Sequence, residues 1–195
     1  MKQEYTLTIY TENQIGLINK IAIMFSRRKI SLESLNTSPS EIEKIYRFTI
    51  VVRETETVIK NLVCQIEKIV DVIKCYCNTN DEIIWQQMAL YKVPTAIILR
   101  ELKVERLLRQ YGAKVMVIRE DYTVFEATGK DEEINNLVSE LDSYGLIEFA
   151  KSSRIAIIKS SEGIHRKVLD MEKNDPSKKA INKEFLSHKS MIFEM

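Results

Sequence analysis

The segment TENQIGLINKIAIMFSRRKISLESL, Thr11 to Leu35, sets Asn13 and Gly16 between an alternating apolar stretch and an amphipathic one. Two kinds of chemistry fit that spacing. Asn13 can act as a helix N-cap, its side-chain oxygen accepting a hydrogen bond from a first-turn amide, with Gly16 as a tight-turn residue. Alternatively, Gly16 keeps the backbone open to close approach by another molecule. Glycine lacks a Cβ, and its presence in a helix interior costs roughly 1 kcal/mol relative to alanine. On spacing alone both readings stay open.

Groups that could catalyse a reaction are scarce. The two histidines, His165 and His188, both lie in a polar C-terminal stretch. There is no G-x-S-x-G, H-E-x-x-H or phosphate-cradling glycine loop, and five glycines in 195 residues leave little material for one. Asp131, Glu132 and Glu133 neighbour Lys130 and read as a solvated helix face. No catalytic or metal-ligating residue is assigned, and the chain is not expected to be an enzyme on its own. Cys64, Cys75 and Cys77 make an odd count without a C-x-x-C pair. They read as buried, reduced thiols of a cytoplasmic protein, Cys75 and Cys77 on one strand face and Cys64 on a helix. Trp85 reads as packing between modules rather than as a docking anchor.

Composition narrows the class further. The chain is 45% hydrophobic and 29% charged, which suits a packed core rather than disorder. A net charge of +1, with acids and bases interspersed, gives no electrostatic footprint for nucleic acid. The start of the chain has no signal-like apolar run, and no apolar stretch reaches the ~18 residues a membrane helix needs.

The elements that must position Asn13 and Gly16 follow from periodicity. Tyr5, Leu7 and Ile9 alternate in a half-buried strand, with Asn13 expected to cap a helix carrying Ile18, Ile21, Ala22 and Phe25 on one face. A second strand is expected from Ile30, a loop at Ser38-Pro39-Ser40, and a third strand through Tyr46, Phe48, Ile50 and Val52. Thr55 or Thr57 then caps a helix striped by Val58, Leu62 and Ile66, and a fourth strand runs from Val70 to Cys77. That βαββαβ order is ferredoxin-like. It recurs through Gln87–Val93, the helical face Val104, Leu107, Leu108 and Tyr111, strands at 114–119 and 122–128, the helix of Ile134, Leu137, Val138 and Leu141, and a strand over 146–150. Another strand is expected over 154–158, and the run 96–99 is open between strand extension and loop.

The expected fold is therefore α+β: two ferredoxin-like modules in tandem, antiparallel sheets with helices on one face. Residues 1–78 form the first module, 79–86 a polar linker, 87–160 the second, and 161–195 a polar tail that is either docked or weakly ordered. One ferredoxin-like relative stacks RNA bases on paired aromatics within a glycine-bearing basic motif. The strand KIYRFTIVV has Tyr46 and Phe48 but lacks those glycines, so no RNA-binding role is assigned.

Three stretches, ENQIGLINKIAIMFSRRKISLESL, RFTI and KIVDVIKC, resemble the ACT domain of the small, regulatory subunit of acetolactate synthase. The family patterns N-x-x-G-x-L, F-S-x-R-G-x-N-I-x-S-L and V-D-V are met by Asn13 and Gly16; by Phe25, Ser26, Arg28, Ser34 and Leu35; and by Val70, Asp71 and Val72. The second module resembles that family's C-terminal domain through YTVFEATGKDEEINNLVSEL and IEFAKSSRIAI.

The resemblance implies a non-catalytic subunit that binds and activates a large catalytic subunit. That partner carries thiamine diphosphate, Mg and FAD, and condenses pyruvate with a second 2-keto acid. It also implies a homodimer through the ACT domain and feedback by branched-chain amino acids. The alternative is a stand-alone ACT-type amino-acid sensor acting on another enzyme or regulator. The implied effector residues are Asn13, Gly16 and Leu17, with Ser31 and Leu32 contributed by a second copy. The family's Asn and Gly are replaced by Ser31 and Lys29, and Leu17 is larger than the residue often found there. The site is thus expected to be present but retuned, with a slightly reshaped turn at Lys29.

Overall fold

The computed structural model describes residues 1–161 together with Gly163, Ile164, Arg166 and Val168. His165 and His188 lie outside the described residues. The chain divides into two compact units, residues 1–83 with the segment from Ile157, and residues 84–156.

The first unit contains β1 (Gln3–Glu12), α1 (Leu17–Arg27), β2 (Leu32–Pro39), β3 (Ile45–Glu54), α2 (Glu56–Ile66) and β4 (Val72–Thr79). Its strands lie in the order β2-β3-β1-β4, all pairs antiparallel. Tyr5, Leu7 and Ile9 of β1 alternate onto the helix-covered face, where Leu17, Ile21 and Phe25 of α1 and Ile59, Leu62 and Ile66 of α2 pack on them. Each such burial contributes about 1.5–3 kcal/mol. The apolar face of α1 is the row 17, 21, 25, rotated from the expected row, so Ile18 stays 42% exposed. β1 is buried on both faces from Tyr5 to Thr11, not half-buried. It is a central strand, and on the opposite face Tyr10 clusters with Ile42, Ile45 and Ile164.

Several boundaries differ from the sequence reading. β2 begins at Leu32 and carries Pro39 inside it, so the loop falls at 40–44. As an edge strand, β2 can hold a proline without losing a ladder bond. Val70 precedes β4 and is 96% exposed. The stretch expected as a linker over 79–86 instead ends β4, makes a 3-10 turn at Asn80–Glu82 and starts the next strand at Ile83. The Glu82 carboxylate accepts from the Thr79 amide at 2.7 Å, which closes that turn. Cys75 is buried and Cys77 packs beside it on the same core face, but Cys64 is exposed on α2.

The second unit is built on β5 (Ile83–Pro94), α3 (Thr95–Arg100), α4 (Leu102–Gln110), β6 (Lys114–Ile118), β7 (Tyr122–Gly129), α5 (Asp131–Asp142), β8 (Glu148–Lys151) and β9 (Ile155–Ile158). The order β6-β7-β5-β8, with β9 also paired to β5, repeats that of the first sheet element for element. The fold is therefore α+β, two tandem ferredoxin-like modules. The run 96–99 is helical: Pro94, at φ −64°, leads into α3, and Thr95 Oγ1 donates to the Arg119 carbonyl at 2.7 Å. Arg154 of its own unit lies over the Trp85 ring at 3.8 Å. Among the described residues no helix is long and apolar enough to cross a membrane.

Candidate functional site

The turn from Glu12 to Leu17 joins β1 to α1. Asn13 is not the cap of that helix: the N-cap is Gly16, at φ 81° and ψ 0°. This is the left-handed region, where a Cβ costs about 1–2 kcal/mol. An added Cβ would meet nothing within 4 Å, so the demand for glycine comes from backbone conformation and not from crowding by the chain. The Asn13 amide donates to the Lys44 carbonyl at 2.9 Å, Gln14 to Glu12 at 3.0 Å, and Leu17 to Gln14 at 3.3 Å. Among the described residues, the amides of Ile15, Gly16 and Ile18 have no backbone partner. They crown the positive end of α1.

Beneath them is a cavity of about 170 Å³. Its rim is formed by Glu12, Asn13, Gln14, Gly16 and Ile18, and its wall by Leu17, Thr11, Thr37, Tyr46 and Phe48. Strand register brings the wall together, because Thr11 pairs with Tyr46 and Thr37 pairs with Phe48. The Asn13 side chain makes no hydrogen bond among the described residues, leaving both ends of its amide available. Thr11 is fully buried, and its Oγ1 has no hydrogen-bond partner there either. Next to the rim, Lys20 Nζ and Asp71 Oδ2 pair at 2.8 Å, while the Asp71 carbonyl accepts from the Glu12 amide at 2.9 Å.

Of the five residues expected at an effector site, one chain gathers Asn13, Gly16 and Leu17. Ser31 and Leu32 do not join them. They follow the far end of α1, whose 11 residues span about 16 Å. Sequence reading missed Thr11, Thr37, Tyr46 and Phe48. Their signal is strand register, which periodicity does not give. Lys29 is left-handed at φ 54°, so the expected reshaping of that turn did not occur. The Ile30 amide bonds the Phe25 carbonyl at 3.1 Å across it and holds the conformation.

Other groups are committed elsewhere. A cavity of about 380 Å³ in the second unit is larger, but two of its wall hydroxyls are engaged. Tyr91 donates to the Ile134 carbonyl at 3.1 Å, and Tyr111 to Glu140 at 2.9 Å. Burial pushes the Tyr91 phenol up to about 12. Burial likewise pushes the Cys77 thiol up to about 11 and raises Cys75 further, so neither is a ready nucleophile. No cluster of three or more His, Cys, Asp or Glu able to hold a metal ion occurs among the described residues.

Comparison with known proteins shows the family. Residues 7–74 match the family described as the AHAS small subunit-like ACT domain, and residues 86–160 match the small subunit of acetolactate synthase. The acetolactate synthase small subunit of Bacillus subtilis is 30% identical over 163 residues, covering 83% of this chain and 93% of that protein. The chain belongs to the acetolactate synthase small-subunit family. The small subunit of Mycolicibacterium smegmatis is 28% identical over 160 residues, covering 82% of this chain and 94% of its own. The crystal structure of the Thermotoga maritima small subunit shares the fold, with a TM-score of 0.73 at 21% identity, across 82% of this chain and 99% of that one. Membership makes this chain a regulatory-type small subunit carrying an ACT domain, not the catalyst, and implies a large catalytic partner.

Proposed function

We propose that this chain activates the thiamine-diphosphate-dependent large subunit of acetolactate synthase and carries its feedback site for a branched-chain amino acid. On this reading Mg and FAD, like the diphosphate, belong to the large subunit, and the complex works in the cytoplasm. The observation that carries the feedback reading is the set of unpartnered amides at Gly16 and Ile18 above the Thr11–Phe48 cavity. A free amino acid brings a carboxylate, which suits a helix N-terminus. It also brings an ammonium, for which Glu12 and the Asn13 amide oxygen stand on the same rim. Leu17 and Phe48 offer apolar surface to an aliphatic side chain.

A second copy would complete the site. β2 is the edge of its sheet, with Leu35 near its middle 37% exposed and Ile15 in the α1 turn fully exposed. An unpaired apolar edge needs cover. Antiparallel pairing of two β2 strands about their middles sets the start of one beside the end of the other. That brings Ser31 and Leu32 of a second copy next to Thr37, which lines the cavity. A ligand this small binds at roughly −4 to −7 kcal/mol, millimolar to ~10 micromolar.

The test is to mix the full chain with a purified acetolactate synthase large subunit and to assay acetolactate formation with and without valine, leucine or isoleucine. Stimulation that one of these amino acids then suppresses is the expected result. Absence of stimulation, with the chain folded and dimeric, refutes the activating role and leaves the stand-alone sensor.

A further inference from the structure

The turn that carries the proposed amino-acid site hangs from a neighbouring loop. The Asn13 amide donates to the Lys44 carbonyl at 2.9 Å, so the loop at 40–44 holds the rim of the cavity. Lys44 is left-handed at φ 63°, a conformation unfavourable for a residue with a Cβ, which persists where its surroundings over-determine it. Ile42 and Ile45 lie on either side of it, and both are buried. They cluster with Tyr10, and the fourth buried member of that cluster is Ile164, only 1% exposed.

Ile164 comes from beyond the residues that the family model matches, which end at 160. Fixed contacts bring it back to the first unit. Lys159 donates its amide to the Glu82 carbonyl at 3.0 Å and its Nζ to the Asp81 carbonyl at 2.7 Å. The Gly163 amide donates to Ser161 Oγ at 3.0 Å, and Gly163 takes φ 83°, a left-handed turn that glycine permits. Ile164 and Val168 are both helical and stand at i and i+4, on one side of the helix, and both join the cluster.

We infer that Ile164 is a positioning residue for the effector site: it pins the loop at 40–44, and through the Lys44 carbonyl it fixes where Asn13 and the free amides of the turn stand. The inference rests on the amino-acid-site reading above and deepens it with a means of regulation. An antiparallel sheet commonly leaves one face to water, and an apolar cluster on that face holds its loop only while it is covered. With Ile164 seated, the rim is preorganised and an amino acid binds without first ordering it. With Ile164 withdrawn, Ile42 and Ile45 lose their cover, Lys44 relaxes from its left-handed conformation, and the ligand must order the turn as it binds. Whatever lifts this segment from the sheet therefore lowers effector affinity, although the segment touches no ligand.

The experiment uses full-length wild type, Ile164→Ala, Ile164→Val and Val168→Ala, each first checked for native circular dichroism and unchanged mass in solution. The readouts are calorimetric titration with L-valine, L-leucine and L-isoleucine, and backbone amide exchange by NMR. Ile164→Ala is expected to weaken the binding of whichever amino acid wild type takes by about tenfold, a usual size for coupling between sites. Ile164→Val and Val168→Ala remove less of the cluster and should weaken it by about two- to threefold. The Asn13 amide should exchange faster in the same order, while the Leu62 amide in α2 keeps its wild-type rate. Should Ile164→Ala lose native dichroism, the two milder variants decide by the same readouts. Equal acceleration at Asn13 and Leu62 means general loosening and overturns the inference. Unchanged affinity in folded variants also overturns it, while the amino-acid site stands. If wild type takes none of the three amino acids, the site falls, and the inference falls with it.

Discussion

Gly16→Asp separates an electrostatic site from a mere turn. Nothing lies within 4 Å of the added Cβ, so the variant meets no clash from its own chain. Asp and Asn tolerate the left-handed φ of 81° better than other residues, and both substitutions should lower stability by only about 1 kcal/mol. The new carboxylate would sit beside the free amides that are proposed to hold the effector's carboxylate. Two like charges about 6 Å apart at an effective dielectric of about 20 repel by about 3 kcal/mol. Gly16 is half-exposed, so solvent screening reduces this to about 1.5–3 kcal/mol. That corresponds to ten- to hundredfold weaker binding. Gly16→Asn adds the same bulk without the charge. The assay is amino-acid inhibition of the reconstituted complex, run for both variants at about 0.05 and 0.5 M salt. The Asp variant should lose far more inhibition than the Asn variant, and the gap should narrow at high salt as the Debye length falls to a few ångströms. Equal losses in the two variants, or a gap indifferent to salt, refutes the claim that these amides hold an anion.

Lys29→Gly relieves a left-handed lysine at φ 54° and should raise stability by about 1 kcal/mol, a rise of roughly 2–4 °C in Tm for a chain of this size; an unchanged or lower Tm by calorimetry contradicts it. At pH 8 iodoacetamide should label exposed Cys64 while Cys75 and Cys77 stay unmodified, because a thiol at about 11 is roughly one part in a thousand thiolate there; mass spectrometry of the labelled peptides decides it. The Cys77 pKa is raised by folding, so its protonated form is favoured in the native state. That contribution is full below the ordinary thiol value near 9 and is lost as pH rises through about 11. Urea midpoints should therefore fall across that window, and fall less in Cys77→Ala.

Most of the architecture was legible because it depends on local pattern. The stripes Val104-Leu107-Leu108 and Ile134-Leu137-Leu141 are amphipathic faces, and all six residues are buried. The doubled βαββαβ order produced two sheets of identical strand order. What failed depends on information that periodicity does not hold. The rotation of α1 to the row of Leu17 is set by where β1 and β3 present their apolar residues, not by the helix alone. Helix α3 arises because Pro94 fixes its entry and Thr95 bonds two distant residues, Arg119 and Thr123, contacts a local window does not contain. Val70 belonged to the family pattern V-D-V, yet the turn carries it outward before β4 begins.

The candidate site divides along the same line. Asn13 and Gly16 could be read because turn chemistry is local, and their roles were half exchanged: glycine caps the helix and asparagine is left free. Thr11 could not be read, since a threonine at the end of an alternating strand looks like a solvent-facing residue until β3 is laid beside it. The separation of Ser31 from Gly16 by the length of α1 then carries the argument further. No rearrangement that keeps α1 intact can bring the two together within one chain. If both touch one ligand, the ligand bridges two copies, and its binding free energy includes the free energy of that pairing. Occupancy and dimer geometry are then linked, and any state of the large subunit that favours one spacing of the paired β2 edges changes effector affinity by the same factor with which the effector changes that state.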